Sequence, residues 1–206
     1  MGKHKNHLSK AYGLDNLDST QEFYSDWAAT YDIEVGEAGY ITPKRCAVAL
    51  AEFAPSKDIA ILDIGCGTGL SGQALKDAGF TNLTGSDINP DMLELAQTKG
   101  IYQHLELADP EKTPQLDRFQ AVTAIGVIGS GAAPLAVLES YVDHLPADAL
   151  IVFSFNDHTL NNPNFQARVR KYIDDGILVE KSKAYGPHLP GEGMNSMVYC
   201  LQRTAT

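Results

Sequence analysis

Asp63, Gly65, Gly67 and Gly69 stand at alternate positions in the run Ile61-Leu-Asp-Ile-Gly-Cys-Gly-Thr-Gly69, with Cys66 and Thr68 between the glycines. A carboxylate near the end of a short apolar run, followed by residues without side chains, suits close approach of a ligand to the backbone at a strand end. The helix expected next, over residues 70–78, presents unpaired amides at its start, and these suit a carboxylate. Gly67 and Gly72 have the spacing of a phosphate-binding P-loop, but Gln73-Ala74 stands where that loop requires Lys followed by Ser or Thr. Gly67-Thr-Gly69-Leu-Ser-Gly72 also satisfies the dinucleotide pattern G-x-G-x-x-G, with Asp87 at about the expected distance downstream. Asp63 and Gly65 precede that register, so the glycines alone leave a nucleoside and a dinucleotide both open.

Three further segments carry groups of the right kind. In Leu83-Thr-Gly-Ser-Asp87-Ile88-Asn-Pro90-Asp-Met92 an apolar strand ends in an acid and Pro90 opens a helix. Asp87 then sits at the carboxyl edge of a strand, where its two oxygens can accept both hydroxyls of a ribose or else cap the next helix. Ile88 and Met92 can wall an adenine or belong to ordinary core. Asp109-Pro110 follows the alternating segment from His104; Asp109 can accept a hydrogen bond from an adenine amino group or form a turn. Upstream, Trp27 and Tyr31 are four residues apart and share a helix face, which can pack on the sheet or attract a cation.

In their order and spacing these segments resemble the class I S-adenosylmethionine-dependent methyltransferases. The opening Asp63 and Gly65 match the family's nucleoside turn, Asp109, Glu111 and Pro114 match its D-x-E-x-x-P segment, and Trp27 to Asp32 match its W-A-x-x-Y-D helix. The resemblance covers residues 23–155. Residues 85–104 are also similar to a narrower group, the methyltransferase-like proteins named for the Williams-Beuren syndrome region. The class I resemblance implies S-adenosylmethionine as cofactor, S-adenosylhomocysteine as product, and a binding set of Trp27, Tyr31, Asp63, Gly65, Cys66, Gly67, Thr68, Gly69, Asp87, Ile88, Met92, Asp109, Pro110 and Ile125. In the family fold Ile125 and Gly126 lie beside the sulfonium, and Cys66 in the turn is a common variant.

The implied reaction is attack of an acceptor nucleophile on the cofactor methyl, where alignment and exclusion of water supply most of the catalysis. A general base is optional. His158, after Ser154-Phe-Asn-Asp, is the candidate if one is used, with surface residue as the plain alternative; His188 comes second, and His104 and His144 read as structural or exposed. No Asn-Pro-Pro-Tyr segment follows Ile128 and no Pro-Cys nucleophile is present, which disfavours the amino-group and pyrimidine C5 methylases built on them. A small-molecule acceptor is expected and a protein acceptor stays open. The competing classes are a cofactor-binding subunit that works through a partner protein and, further off, an NAD-dependent oxidoreductase.

These groups need a frame. The series reads as a helix over 43–53, strands ending near 64, 87, 107, 128 and 155, helices over 135–144 and 164–173, and two closing strands over 177–184 and 197–202. That is a doubly wound, Rossmann-like α/β fold: a seven-stranded sheet, mostly parallel with an antiparallel edge hairpin, and helices on both faces. One domain over 1–206 is expected, with 1–31 as an N-terminal tail and lid, and with 185–196, rich in Gly and Pro, as a loop over the site. The chain has 206 residues and 44% hydrophobic content, enough for one core. A net charge of -10 disfavours non-specific binding to nucleic acid backbones. No apolar run is long enough to span a bilayer, and the first residues do not form a signal peptide. Three widely spaced cysteines form no metal or disulfide pattern, so a cytoplasmic, metal-free protein is expected.

Overall fold

The computed structural model describes residues 17–112, 115–129 and 132–205. Helices α1 (Leu17–Glu37) and α2 (Thr42–Phe53) lead into β1 (Ile61–Ile64), α3 (Leu70–Asp77), β2 (Leu83–Asp87), α4 (Pro90–Thr98) and β3 (His104–Leu107). Then follow β4 (Ala121–Ala124), α5 (Leu135–His144), β5 (Leu150–Asn156), α6 (Asp157–Leu160), α7 (Pro163–Asp174), β6 (Leu178–Leu189) and β7 (Met194–Arg203). The sheet has seven strands in the order β3-β2-β1-β4-β5-β7-β6. Strands β1 to β5 pair in parallel, whereas β7 runs antiparallel to both β5 and β6. The strand order reverses between β1 and β4, and in open sheets of this kind a ligand crevice forms there, outside the carboxyl ends of the strands.

Alternation along the strands builds a core on each face. Leu62, Ile64, Val122, Ile151, Phe153, Phe155, Tyr199 and Leu201 point one way, onto Leu138 and Val142 of α5 and Phe165 and Val169 of α7. Ile61, Ala121, Val152, Val198 and Cys200 point the other way, onto Cys46, Ala47 and Leu50 of α2 and Leu75 of α3. Each such fully buried Leu or Ile contributes about 1.5 to 3 kcal/mol, so both helix layers are held firmly. Pro43, Pro90 and Pro163 all stand in the first turn of their helices, where a missing N–H costs nothing. Asn89 caps α4, its side chain accepting from the amides of Asp91 and Met92.

Two expectations are corrected. The apolar run 119–128 is not one strand: β4 stops at Ala124, and Gly126, at φ 73°, turns the chain. Ile125 and Ile128 remain buried beyond the strand, so the run reported burial rather than extension. Residues 185–196 are not a roofing loop either; β6 and β7 extend through most of them, and only a 3-10 turn at Pro190–Glu192 and Gly193 joins the two. Pro187 is tolerated because β6 is the sheet edge, and a register shift between Pro187 and Leu189 absorbs the irregularity. Among the described residues no helix is long and apolar enough to cross a membrane, and no cluster of three or more His, Cys, Asp or Glu could hold a metal ion.

Candidate functional site

At the end of β1 the chain passes through Gly65, Gly67 and Gly69 with φ of 60°, 53° and 96°. Two of these show why no side chain is allowed or needed. A Cβ on Gly65 would fall 2.5 Å from a Val127 methyl, whereas one on Gly67 would meet no atom within 4 Å. The first glycine lets the β1 and β4 turns touch, and the second leaves backbone open at the crevice. Gly69 then opens α3 in the left-handed conformation with no side-chain cap, and no acid stands in the first turn of that helix. Its initial amides are suited to an anionic group.

Asp63 is fully buried and its carboxylate is taken up by hydroxyls: Ser71 and Tyr102 donate to Oδ2, each at 2.6 Å, and Thr123 donates to Oδ1 at 2.7 Å. Burial pushes this carboxyl above its usual range, while the three hydroxyls pull the other way. Asp63 thus ties β1 to the start of α3, to β4 and to the segment leading into β3. It reaches a ligand only through the turn it holds. Tyr102 in turn fills the space above Gly72, where an added Cβ would lie 2.3 Å from its hydroxyl oxygen.

Asp87 ends β2 beside that turn. Gly67 N donates to its Oδ2 at 2.8 Å and Asn89 N to its Oδ1 at 2.9 Å, so the acid joins the glycine turn to the start of α4. Each oxygen keeps acceptor capacity for a further donor. Burial raises the Asp87 carboxyl from its ordinary value, opposed by the backbone N–H donors of Asn89, Gly67 and Ile88. Ile88 is half-buried and Met92 is buried below it. Cys66 is buried with its thiol pushed up by burial and by Asp63 and Asp87, which makes it inert packing rather than a nucleophile.

Helix α1 lies against the same two turns. Thr68 donates to Asp32 Oδ1 at 2.5 Å, Lys99 pairs with Asp32 Oδ2 at 2.5 Å, and Asn89 Nδ2 donates to Ser25 at 3.0 Å. Trp27 is 2% exposed, in edge contact with Phe23 and Tyr31 and packed with Val35, Ala38 and Leu189. Trp27 therefore sits in a small apolar cluster between α1 and the β6–β7 turn, and half-buried Tyr31 flanks it.

The remaining candidates are dispersed. Asp109 and Pro110 are exposed beyond β3; the Asp109 carboxylate accepts from Glu111 N and pairs with Lys112, which lowers it. Ile125 is buried at the end of β4. His158 is exposed on the short helix α6, whereas His188 is buried within β6, not in a loop, with Nδ1 2.8 Å from the Thr42 hydroxyl. Pro114 and Gly131, and the side chain of Tyr24, lie outside the described residues. Sequence reading did not find the partners of Asp63 or the Asp32 contacts; Tyr102 and Asp32 stood inside the quoted motifs, but nothing local said what they would touch.

Comparison with known proteins bears on the family and the fold. Residues 39–182 match a family model described as "Methyltransferase domain". The chain is similar to the human "Methyltransferase-like protein 27", 36% identical over 130 residues, 60% of this chain and 53% of that protein. It is 27% identical over 110 residues to the "Ubiquinone biosynthesis O-methyltransferase" of Haemophilus ducreyi, 48% of this chain and 46% of that protein. The chain thus spans about half the length of these curated relatives. Among solved structures, the magnesium protoporphyrin IX methyltransferase of Synechocystis PCC 6803, determined with bound S-adenosylmethionine, superposes with a TM-score of 0.62 at 19% identity, covering 98% of this chain and 92% of the other.

Proposed function

We propose, from the premise that this chain belongs to the methyltransferase domain family, that it moves a methyl group from S-adenosylmethionine to a small-molecule acceptor. The observation that carries the reading is the bond from Gly67 N to Asp87, which couples the glycine turn of β1 to the acid that ends β2. The residues fit the cofactor. Gly67 leaves the backbone approachable, the uncapped start of α3 suits the amino-acid carboxylate, and Asp87 retains acceptor sites for the ribose hydroxyls. Asp109 is then the acceptor for the adenine amino group, Ile88 lines the adenine, and Asp63 and Met92 shape the turns from below. When bound, the sulfonium supplies an already activated methyl electrophile.

This chain's own contribution is to bind, orient and exclude water. The three buried cysteines are compatible with a reducing cytoplasm. A small acceptor is supported by the similarity to ubiquinone biosynthesis O-methyltransferases and by the acidic chain, whose net charge is -10. No residue is assigned as general base, since His158 is exposed and His188 is engaged by Thr42. Calorimetric titration checks the core of the proposal. The purified protein is expected to give binding heat with S-adenosylhomocysteine and none with NAD; the reverse pattern would sink it.

Helix α1 acts in this reading as the lid of a single domain. Its contacts run through Asp32 to Thr68 and through Ser25 to Asn89, which belong to the two turns proposed to hold the cofactor. Cofactor that steadies these turns therefore steadies the helix, shifting it toward closure and sealing the methyl group from water. Amide hydrogen exchange of residues 23–31 is expected to slow on addition of S-adenosylhomocysteine. Equal protection with and without the ligand would mean a permanently docked helix and no gate. The residues before Leu17, read from sequence as the tail of this lid, lie outside the described residues.

A further inference from the structure

The acceptor side of the crevice holds a second constellation, built from α2, β6, β7 and the connection before α2. Tyr40 follows Gly39 in that connection and its amide donates to Val35 O at 3.0 Å. The phenol reaches across to the end of β4: a Cβ added to Gly126 would fall 2.3 Å from the Tyr40 oxygen. Gly126 is itself fixed, its amide donating to buried Ser154 Oγ at 3.0 Å. One residue further on, Val127 is the side chain that meets Gly65 of the β1 turn. The Tyr40 hydroxyl is therefore set where the β1 and β4 turns touch, at the reversal of strand order. With the ribose and adenine directed to β2 and β3 by Asp87 and Asp109, the reacting end of the cofactor is directed to this side.

The phenol is backed by His188, whose ring meets it edge to face with centroids 5.1 Å apart. Behind the imidazole runs a chain of hydroxyls. Arg45 donates to Ser196 Oγ at 2.9 Å, Ser196 Oγ lies 2.9 Å from Thr42 Oγ1, and Thr42 Oγ1 lies 2.8 Å from His188 Nδ1. A guanidinium only donates, so Ser196 Oγ accepts from Arg45. The Ser196 and Thr42 hydroxyls can each donate or accept; with Ser196 donating to Thr42 and Thr42 to Nδ1, the ring proton lies on Nε2. Burial, and then the charge of Arg45, hold the imidazole down to about 4, against a smaller opposing effect of Asp157. His188 stays uncharged at neutral pH, with Nδ1 already occupied.

We propose that Tyr40 contacts the transferring methyl group, and that His188, its tautomer fixed by the Arg45–Ser196–Thr42 relay, is the positioning residue that holds it there. The proposal rests on the methyltransferase reading above. A methyl on a sulfonium carries polarised C–H groups, and an oxygen held beside it accepts weak hydrogen bonds that fix its direction.

Sinefungin, an analogue with carbon in place of the sulfur and an amine in place of the methyl group, probes that position without any acceptor. Tyr40→Phe is expected to weaken sinefungin about 10-fold, the usual worth of a hydrogen bond to a charged group, while S-adenosylhomocysteine stays within about twofold. Equal weakening of both ligands, or of neither, overturns the assignment to the methyl position. Histidine nitrogen NMR tests the relay: between about pH 6 and 8, His188 should carry its proton on Nε2. Thr42→Val should disturb the Nδ1 signal and reduce the sinefungin preference. A proton on Nδ1 in the wild type removes the relay. If the wild type bound neither ligand, the methyltransferase reading would fail first and this inference with it.

Discussion

Asp87→Ala is expected to bind S-adenosylhomocysteine about 2 to 4 kcal/mol more weakly than the wild type, roughly a 30- to 800-fold rise in Kd. In the proposed binding mode, two charge-assisted hydrogen bonds to the ribose hydroxyls are lost with the carboxylate. A second loss accompanies them, because the same oxygens accept from Gly67 N and Asn89 N and so hold the glycine turn in register with α4. The amide of Asp87→Asn keeps one acceptor oxygen and is expected to fall between the alanine variant and the wild type. Asp109→Ala should lose less, about 1 to 2 kcal/mol, since an exposed adenine edge can recruit water instead. Calorimetry on the three variants decides the matter. Wild-type affinity in Asp87→Ala, with an unchanged melting temperature, would leave Asp87 only a turn-capping role.

Asp63→Ala is expected to cost about 3 to 5 kcal/mol of folding stability, because it leaves the buried hydroxyls of Ser71, Thr123 and Tyr102 without their acceptor. For a chain of this size that corresponds to a fall in Tm of roughly 6 to 20 °C. Asp63→Asn retains an acceptor for two of the three hydroxyls and should cost about 1 kcal/mol. The pH dependence has a definite sign. Burial raises the folded-state Asp63 carboxyl above its unfolded value, so its contribution to stability is fully present below the unfolded pKa and is lost as pH rises through the folded one. Asp87 shifts in the same direction, but it is common to both proteins and cancels in their difference. The stability advantage of the wild type over Asp63→Asn should therefore shrink as pH rises out of the acid range. Thermal melts across that range test both parts; an alanine variant that melts with the wild type would show that the hydroxyls find other partners.

Much of this was legible in the chain itself, because the signals are local. Alternating and continuous apolar runs and Pro90 at the start of its helix act within a few residues of themselves, and they marked α2, α4, α5, α7 and the first three strands closely. The glycine turn was legible for the same reason: positive φ at Gly65, Gly67 and Gly69 is a property of the residue type. Where the local signal was ambiguous the reading strayed. The run ending at Ile128 is extended only over Ala121–Ala124, and Gly186 and Pro187 belong to an edge strand because an edge has backbone groups that need no partner.

Which residues become partners depends on tertiary packing. Asp63 belongs to the opening motif, yet its carboxylate faces inward because β1 is flanked on both sides and Ser71 of α3, Thr123 of β4 and Tyr102 of the connection before β3 converge on it. Trp27 shares a helix face with Tyr31, as the spacing requires, but whether that face meets a ligand or an apolar cluster depends on where the β6–β7 turn lands. Thr42 meets His188 across 146 residues and Ser196 across 154. Contacts at such separations depend on sheet order and strand register, which accumulate over the whole chain, and no window of sequence around either partner contains them. Local signals carried most of the elements, the turn chemistry and the family; the packing of the closing hairpin against α1 and α2 settled which side chains meet across the fold.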